Sequence, residues 1–122
     1  MKILVAEDEP IMLKTMELKL SRDGHLVMTA NNGRDAVQLI TENNFDLVIT
    51  DIMMPYTSGL EILGFVKSQS GRKIPVIILS AMGQENVVVE AFNLGADDYI
   101  TKPFSPNELS LRIRRFATAA AA

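Results

Sequence analysis

Five short runs of strand-forming residues punctuate the chain, and each is closed by a polar residue. KILVA (Lys2 to Ala6) ends on Glu7 and Asp8, HLVMTA (His25 to Ala30) on Asn31, FDLVIT (Phe45 to Thr50) on Asp51, PVIIL (Pro75 to Leu79) on Ser80, and the short Asp98 to Thr101 on Lys102. Runs this apolar and this brief suit strands covered on both faces, as in a parallel sheet. Between them the apolar spacing turns helical. Ile11, Met12, Thr15, Met16, Leu18 and Leu20 follow Pro10, which suits a first helical turn, and Gly24 suits the stop. Asn31 or Asn32 can cap a helix bearing Ala36, Val37, Leu39 and Ile40, and Gly59 leads into Leu60, Ile62, Leu63, Phe65 and Val66. Glu85 to Asn93 is the next helix, stopped by Gly95, and Ser105 with Glu108 three residues on caps a last one carrying Leu109, Leu111, Ile113 and Phe116. Strand and helix alternate five times, which predicts an α/β fold, a doubly wound parallel sheet with helices on both faces.

At 122 residues the chain has the length of one domain. With 48% hydrophobic residues it can bury a core on packing alone, and it must: there is no cysteine for a disulfide or thiolate site, and His25 is the one histidine. The formal charge of -3 argues against direct nucleic-acid binding, and Arg112, Arg114 and Arg115 are too few to reverse that. The opening MKILVAEDEP meets acids too soon for a signal peptide, and no run approaches the roughly 18 apolar residues of a membrane span. A cytoplasmic address without membrane contact follows by elimination. Ala117 to Ala122, broken by Thr118, reads as an alanine-rich tail outside the domain proper.

In open α/β sheets, ligands bind beyond the carboxyl ends of the strands. Those ends bring Glu7, Asp8, Asp51, Ser80 and Lys102 to one edge. Crowded carboxylates raise one another's pKa unless a cation compensates, and an all-oxygen donor set suits Mg²⁺ better than zinc. A solvated acidic loop accounts for Glu9 but leaves Asp51, at the end of a buried run, unexplained. The glycines form neither GxxxxGK[ST] nor GxGxxG, so if phosphoryl chemistry occurs, a carboxylate is the acceptor. Asp51 is placed for attack on phosphorus, with Lys102 neutralising charge on the transferring oxygens.

EDEP after the first run, DIMMP with Gly59 after the third, LSA after the fourth and GADDYITKPF around the fifth resemble the receiver domain of two-component response regulators, over about Lys2 to Phe116. The resemblance implies a flavodoxin-like strand order of 2-1-3-4-5, which periodicity does not supply. It assigns residues 1–116 to the receiver and 117–122 to the tail. It implies Mg²⁺ held by Glu7, Asp8, Asp51 and the backbone carbonyl of Met53. A sensor histidine kinase or phosphotransfer protein would pass its phosphoryl group to Asp51, with Lys102 and Ser80 contacting that group and Tyr99 as the aromatic switch. The same likeness associates the positions of Met53 and Met82 with dephosphorylation rate; neither side chain orients a water, so a persistent phosphoaspartate is expected.

The closing PFSPNELSLRIRRF resembles receivers joined to winged-helix transcription factors, implying a DNA-binding output domain outside this chain and a homodimer. Val88, Glu90, Asp97, Glu108 and Arg112 fall on the surface such receivers pair through. Val88 and Glu90 depart from the basic residues usual on the fourth helix, which favours a more apolar face or another partner. Val87, Val88 and Val89 cannot all face one core across a helix, so at least one is exposed or at an interface. The rivals are a phosphorylation-independent receiver scaffold and a small Mg²⁺-dependent phosphohydrolase with an aspartate nucleophile.

Overall fold

In a computed structural model, residues 1–69, 73–81 and 84–121 are described. Strands β1 (Lys2–Ala6), β2 (Leu26–Ala30), β3 (Leu47–Asp51), β4 (Val76–Ser80) and β5 (Asp98–Thr101) alternate with helices α1 (Pro10–Arg22), α2 (Gly33–Glu42), α3 (Gly59–Ser68), α4 (Glu85–Asn93) and α5 (Pro106–Ala121). All neighbouring strands are parallel, in the order β2-β1-β3-β4-β5. The flavodoxin-like doubly wound topology is thus the observed one.

Side chains alternate across the sheet and divide the core in two. Ile3, Val5, Leu47, Ile49, Ile77 and Leu79 pack with Met16 and Leu20 of α1 and Leu109 and Ile113 of α5. Leu4, Ala6, Val48, Val76 and Ile78 face the other way, onto Ala36 and Ile40 of α2, Ile62, Leu63 and Val66 of α3 and Ala91 of α4. Each buried Ile or Leu side chain contributes about 1.5–3 kcal/mol. The central strands β3 and β4 are buried along their whole length, which explains their near-unbroken apolar character.

The boundaries of three strands differ from expectation by one or two residues. His25 precedes β2: its N–H donates to the Leu20 carbonyl and its Nδ1 lies 3.1 Å from the Met1 amine. Phe45 is fully buried but precedes β3, and Pro75 precedes β4, its carbonyl accepting from Val48 N–H. Correspondingly, Asp51 and Ser80 are the last residues of their strands rather than the first beyond them. Asn32, not Asn31, caps α2, accepting from Asp35 N–H. Gly24 and Gly95 follow α1 and α4 at φ of 97° and 108°, conformations that suit glycine. Ser105 Oγ accepts the Glu108 N–H at 3.0 Å, as its spacing predicts, and α5 continues into the alanine-rich stretch. Among the described residues no helix is long and apolar enough to cross a membrane.

Candidate functional site

The site is built by carrying the sheet one residue past its regular end. Glu7 N–H donates to the Ala30 carbonyl at 3.0 Å and Lys102 N–H to the Ser80 carbonyl at 2.7 Å, so both side chains are aimed by ladder-like hydrogen bonds. Glu7, Asp51 and Ser80 are buried, whereas Asp8 is exposed. The Lys102 ammonium reaches down between the strands, 2.6 Å from Asp51 Oδ2 and 2.7 Å from Glu7 Oε1. Glu7 Oε2 accepts Glu9 N–H at 3.2 Å, and Asp51 Oδ1 accepts Met53 N–H at 3.3 Å. Glu7, Asp8 and Asp51 each offer an oxygen within 4.8 Å of the others.

Burial pushes the Glu7 carboxyl up to about 7. The Lys102 ammonium beside it works against that shift and the neighbouring Asp51 adds to it. For Lys102, burial is the largest influence and acts to lower its pKa, but the hydrogen bond to Asp51 and the close contact with and attraction to both carboxylates outweigh it, and the net shift is upward. Glu7 Oε1 is close enough to Lys102 for an ion pair, yet the angles fail for a hydrogen bond and no other donor reaches it. A buried oxygen with attraction but no donor is a position where a cation is favoured. The donors are all hard oxygens, so the residues present fit Mg²⁺.

Comparison with known proteins resolves the family. Residues 3–114 match the model described as the response regulator receiver domain. The chain belongs to this family. The receiver is 39% identical over 113 residues to the transcriptional regulatory protein ResD of Bacillus subtilis, covering 93% of this chain and 46% of ResD, so it spans less than half that regulator's length. Among solved structures, the Francisella response regulator 1452 receiver domain is 36% identical with a TM-score of 0.89, covering 98% of both chains. The receiver domain of the Pseudomonas aeruginosa sensor histidine kinase PA1611, described with a magnesium ion coordinated in its active-site cleft, is 28% identical with a TM-score of 0.85, covering 94% of this receiver and 95% of that chain.

Around this centre the receiver distributes the remaining candidates unevenly. Met53 follows β3 with an exposed side chain. The Lys102-Pro103 bond is cis. Beside Ser80 lies a cavity of about 360 Å³, with Gln84, Val88 and Tyr99 among its walls. Tyr99 stands half out of the surface, its ring edge-on to Phe92 at 5.7 Å. Met82 lies outside the described residues. Of the three valines, Val87 and Val88 pack toward the core and Val89 is exposed. Glu90 is exposed on α4, and Arg112 bonds to Asp98 at 3.0 Å and lies 3.6 Å from Glu108.

Asp97 is engaged within the chain, accepting from Val76 N–H and Lys67 Nζ at 2.8 Å each, while Lys67 also donates to the Ile74 carbonyl at 3.0 Å. It ties α3 and the loop before β5 to the start of β4. Asp97→Ala is expected to cost about 1–3 kcal/mol in urea unfolding, with phosphoryl loading of Asp51 unchanged.

Sequence reasoning missed this tie because its members are 21 and 30 residues apart and carry no local pattern. It also missed the work done by Glu9, whose carboxylate accepts from Ile11 and Met12 N–H and caps α1. A glutamate immediately before Pro10 was the available signal, though a weak one, since shorter side chains dominate at caps.

Proposed function

We propose that this receiver accepts a phosphoryl group on Asp51 and uses the modification to switch an interaction surface. The observation that carries the reading is the Lys102 ammonium held between Asp51 and Glu7 at 2.6 and 2.7 Å, with Asp8 close enough to complete a three-carboxylate cation site. Asp51 Oδ attacks phosphorus; the O–P bond forms as the N–P bond of a phosphohistidine breaks, and the histidine departs on its own protein. Glu7, Asp8, Asp51 and the Met53 carbonyl would hold Mg²⁺, which when bound supplies positive charge to the phosphoryl oxygens. Lys102 supplies a second positive charge from the carboxyl end of β5. Hydrolysis of the acyl phosphate by water restores the carboxylate.

Adding a dianionic group beside Ser80 creates demand for donors that the Ser80 hydroxyl can meet by moving. The cavity walled by Val88 and Tyr99 gives that movement room, and Tyr99 can swing toward it. The donor is a sensor histidine kinase or phosphotransfer protein. By likeness to ResD, the longer regulator carries a transcriptional output, and the α4-β5-α5 face bearing Val88, Glu90, Asp97, Glu108 and Arg112 would communicate with it or with a second copy. The receiver unit is assigned to residues 1–116, acts in the cytoplasm and leaves nucleic-acid contact to the output.

The test is intact mass after incubation with Mg²⁺ and acetyl phosphate. Wild type is expected to gain one phosphoryl group and Asp51→Asn none. Equal adducts in both would remove Asp51 from its role, and no adduct in wild type under any condition would leave a scaffold.

A further inference from the structure

The turn after β3 contains Tyr56, the one non-glycine among the described residues at positive φ, 71°. Thr57 N–H donates to the Pro55 carbonyl at 2.9 Å, closing a three-residue turn around Tyr56, a rare and strained form. Burial does not offset that strain, because the Tyr56 side chain is 73% exposed. What holds the turn is the start of α2. Gly33 N–H donates to the same Pro55 carbonyl at 3.2 Å, and the Arg34 guanidinium lies over the Tyr56 ring, 4.4 Å from its centroid. The approach is so close that a Cβ on Gly33 would stand 2.0 Å from the Thr57 carbonyl oxygen. At its other end the same loop is pinned by Gly59 N–H on the Ile52 carbonyl at 2.8 Å and by Met53 N–H on Asp51 Oδ1. Met53 sits between this pinned end and the turn clamped at Pro55, and neither its side chain nor that of Tyr56 is buried.

From this geometry we infer that Tyr56, clamped by Gly33 and Arg34, is a positioning residue that sets the Met53 backbone carbonyl for the cation. The inference rests on the proposed Mg²⁺ site. Strain maintained at an exposed residue, beside a loop that must present one carbonyl in one direction, is a form of preorganisation. A residue serving stability alone would gain from relaxing to glycine, which adopts positive φ freely.

Titration of Mg²⁺ alone, by calorimetry on wild type, Tyr56→Gly, Tyr56→Phe and Arg34→Ala, tests this, with melting midpoints taken without metal. Tyr56→Gly is expected to leave the midpoint within about 3 °C while weakening Mg²⁺ about tenfold. Arg34→Ala weakens it in the same direction, and Tyr56→Phe, which keeps the ring over Arg34, retains wild-type affinity. A Tyr56→Gly dissociation constant within twofold of a wild type that binds overturns the inference alone. So does a loss of affinity matched by a large fall in midpoint, which would mean general unfolding of the loop. A wild type that takes up no Mg²⁺ overturns the cation site and this inference with it.

Discussion

Lys102→Met is expected to destabilise the metal-free receiver by about 3 kcal/mol at pH 8 and by distinctly less at pH 5. Methionine keeps most of the side-chain volume, so the loss is electrostatic rather than a cavity. At pH 8 it leaves the buried Glu7 and Asp51 carboxylates facing one another without the ammonium that lies within 2.7 Å of both. Near pH 5 the folded protein keeps Glu7 protonated, because burial holds its pKa at about 7 against an ordinary 4.5, and the repulsion is relieved.

The same shift fixes the sign for Glu7 itself. Between pH 4.5 and about 7 the folded state holds a proton that the unfolded state has released, so stability falls as pH rises through that window and levels off above it. Glu7→Gln, which carries a neutral group throughout, should match wild type below pH 4.5 and exceed it at pH 8 by up to about 3 kcal/mol. Urea unfolding of wild type and both variants in chelator, at pH 5 and 8, measures all of this. A Glu7→Gln protein less stable than wild type at pH 8 would overturn the electrostatic account. Its expected combination of higher stability with weaker Mg²⁺ binding would mark a site where function is maintained at a cost in stability.

What sequence reading recovered, and what it did not, follows the range of the forces involved. The five strands and the edge carrying Glu7, Asp51, Ser80 and Lys102 were legible because short unbroken apolar runs between helically spaced segments are a local property and strand ends in parallel sheets share one edge. The boundary differences at the carboxyl ends of β3 and β4 have one cause. Asp51 and Ser80 are polar and buried yet remain inside their ladders, in register with Leu79 and Thr101, and backbone pairing overrides the reading of a polar residue as the end of a strand. Strand order came from family likeness and not from pattern. Illegible were features created by backbone proximity between distant segments: Asp97 bridging to Val76 and Lys67, Gly33 against Thr57, and the positive φ of Tyr56. No residue spacing encodes a carbonyl passing close to a neighbouring helix.

Gly59 shows how much such proximity can weigh. It is the buried first residue of α3, and a Cβ built there would lie 2.1 Å from the Asp51 carbonyl oxygen and 2.7 Å from Ile52 Cα. Both obstacles are backbone, so no side-chain rotation relieves them; either α3 backs away or the end of β3 bends. The first breaks the Gly59 N–H bond to Ile52 and loosens Ile62, Leu63 and Val66 from the core, and the second moves Asp51. Gly59→Ala is therefore expected to cost more than about 3 kcal/mol and, in whatever fraction folds, to lose Mg²⁺ uptake and the phosphoryl adduct together. Gly64, five residues further along α3, is the control: nothing lies within 4 Å of its added Cβ, so Gly64→Ala should gain about 0.5–1 kcal/mol from helix propensity and leave both readouts unchanged. Urea midpoints for the pair, with Mg²⁺ titration and intact mass on each, separate the explanations. If both alanines act alike, helix propensity rather than contact with the Asp51 backbone governs α3, and the close-packing account of how this loop holds its acceptor is wrong.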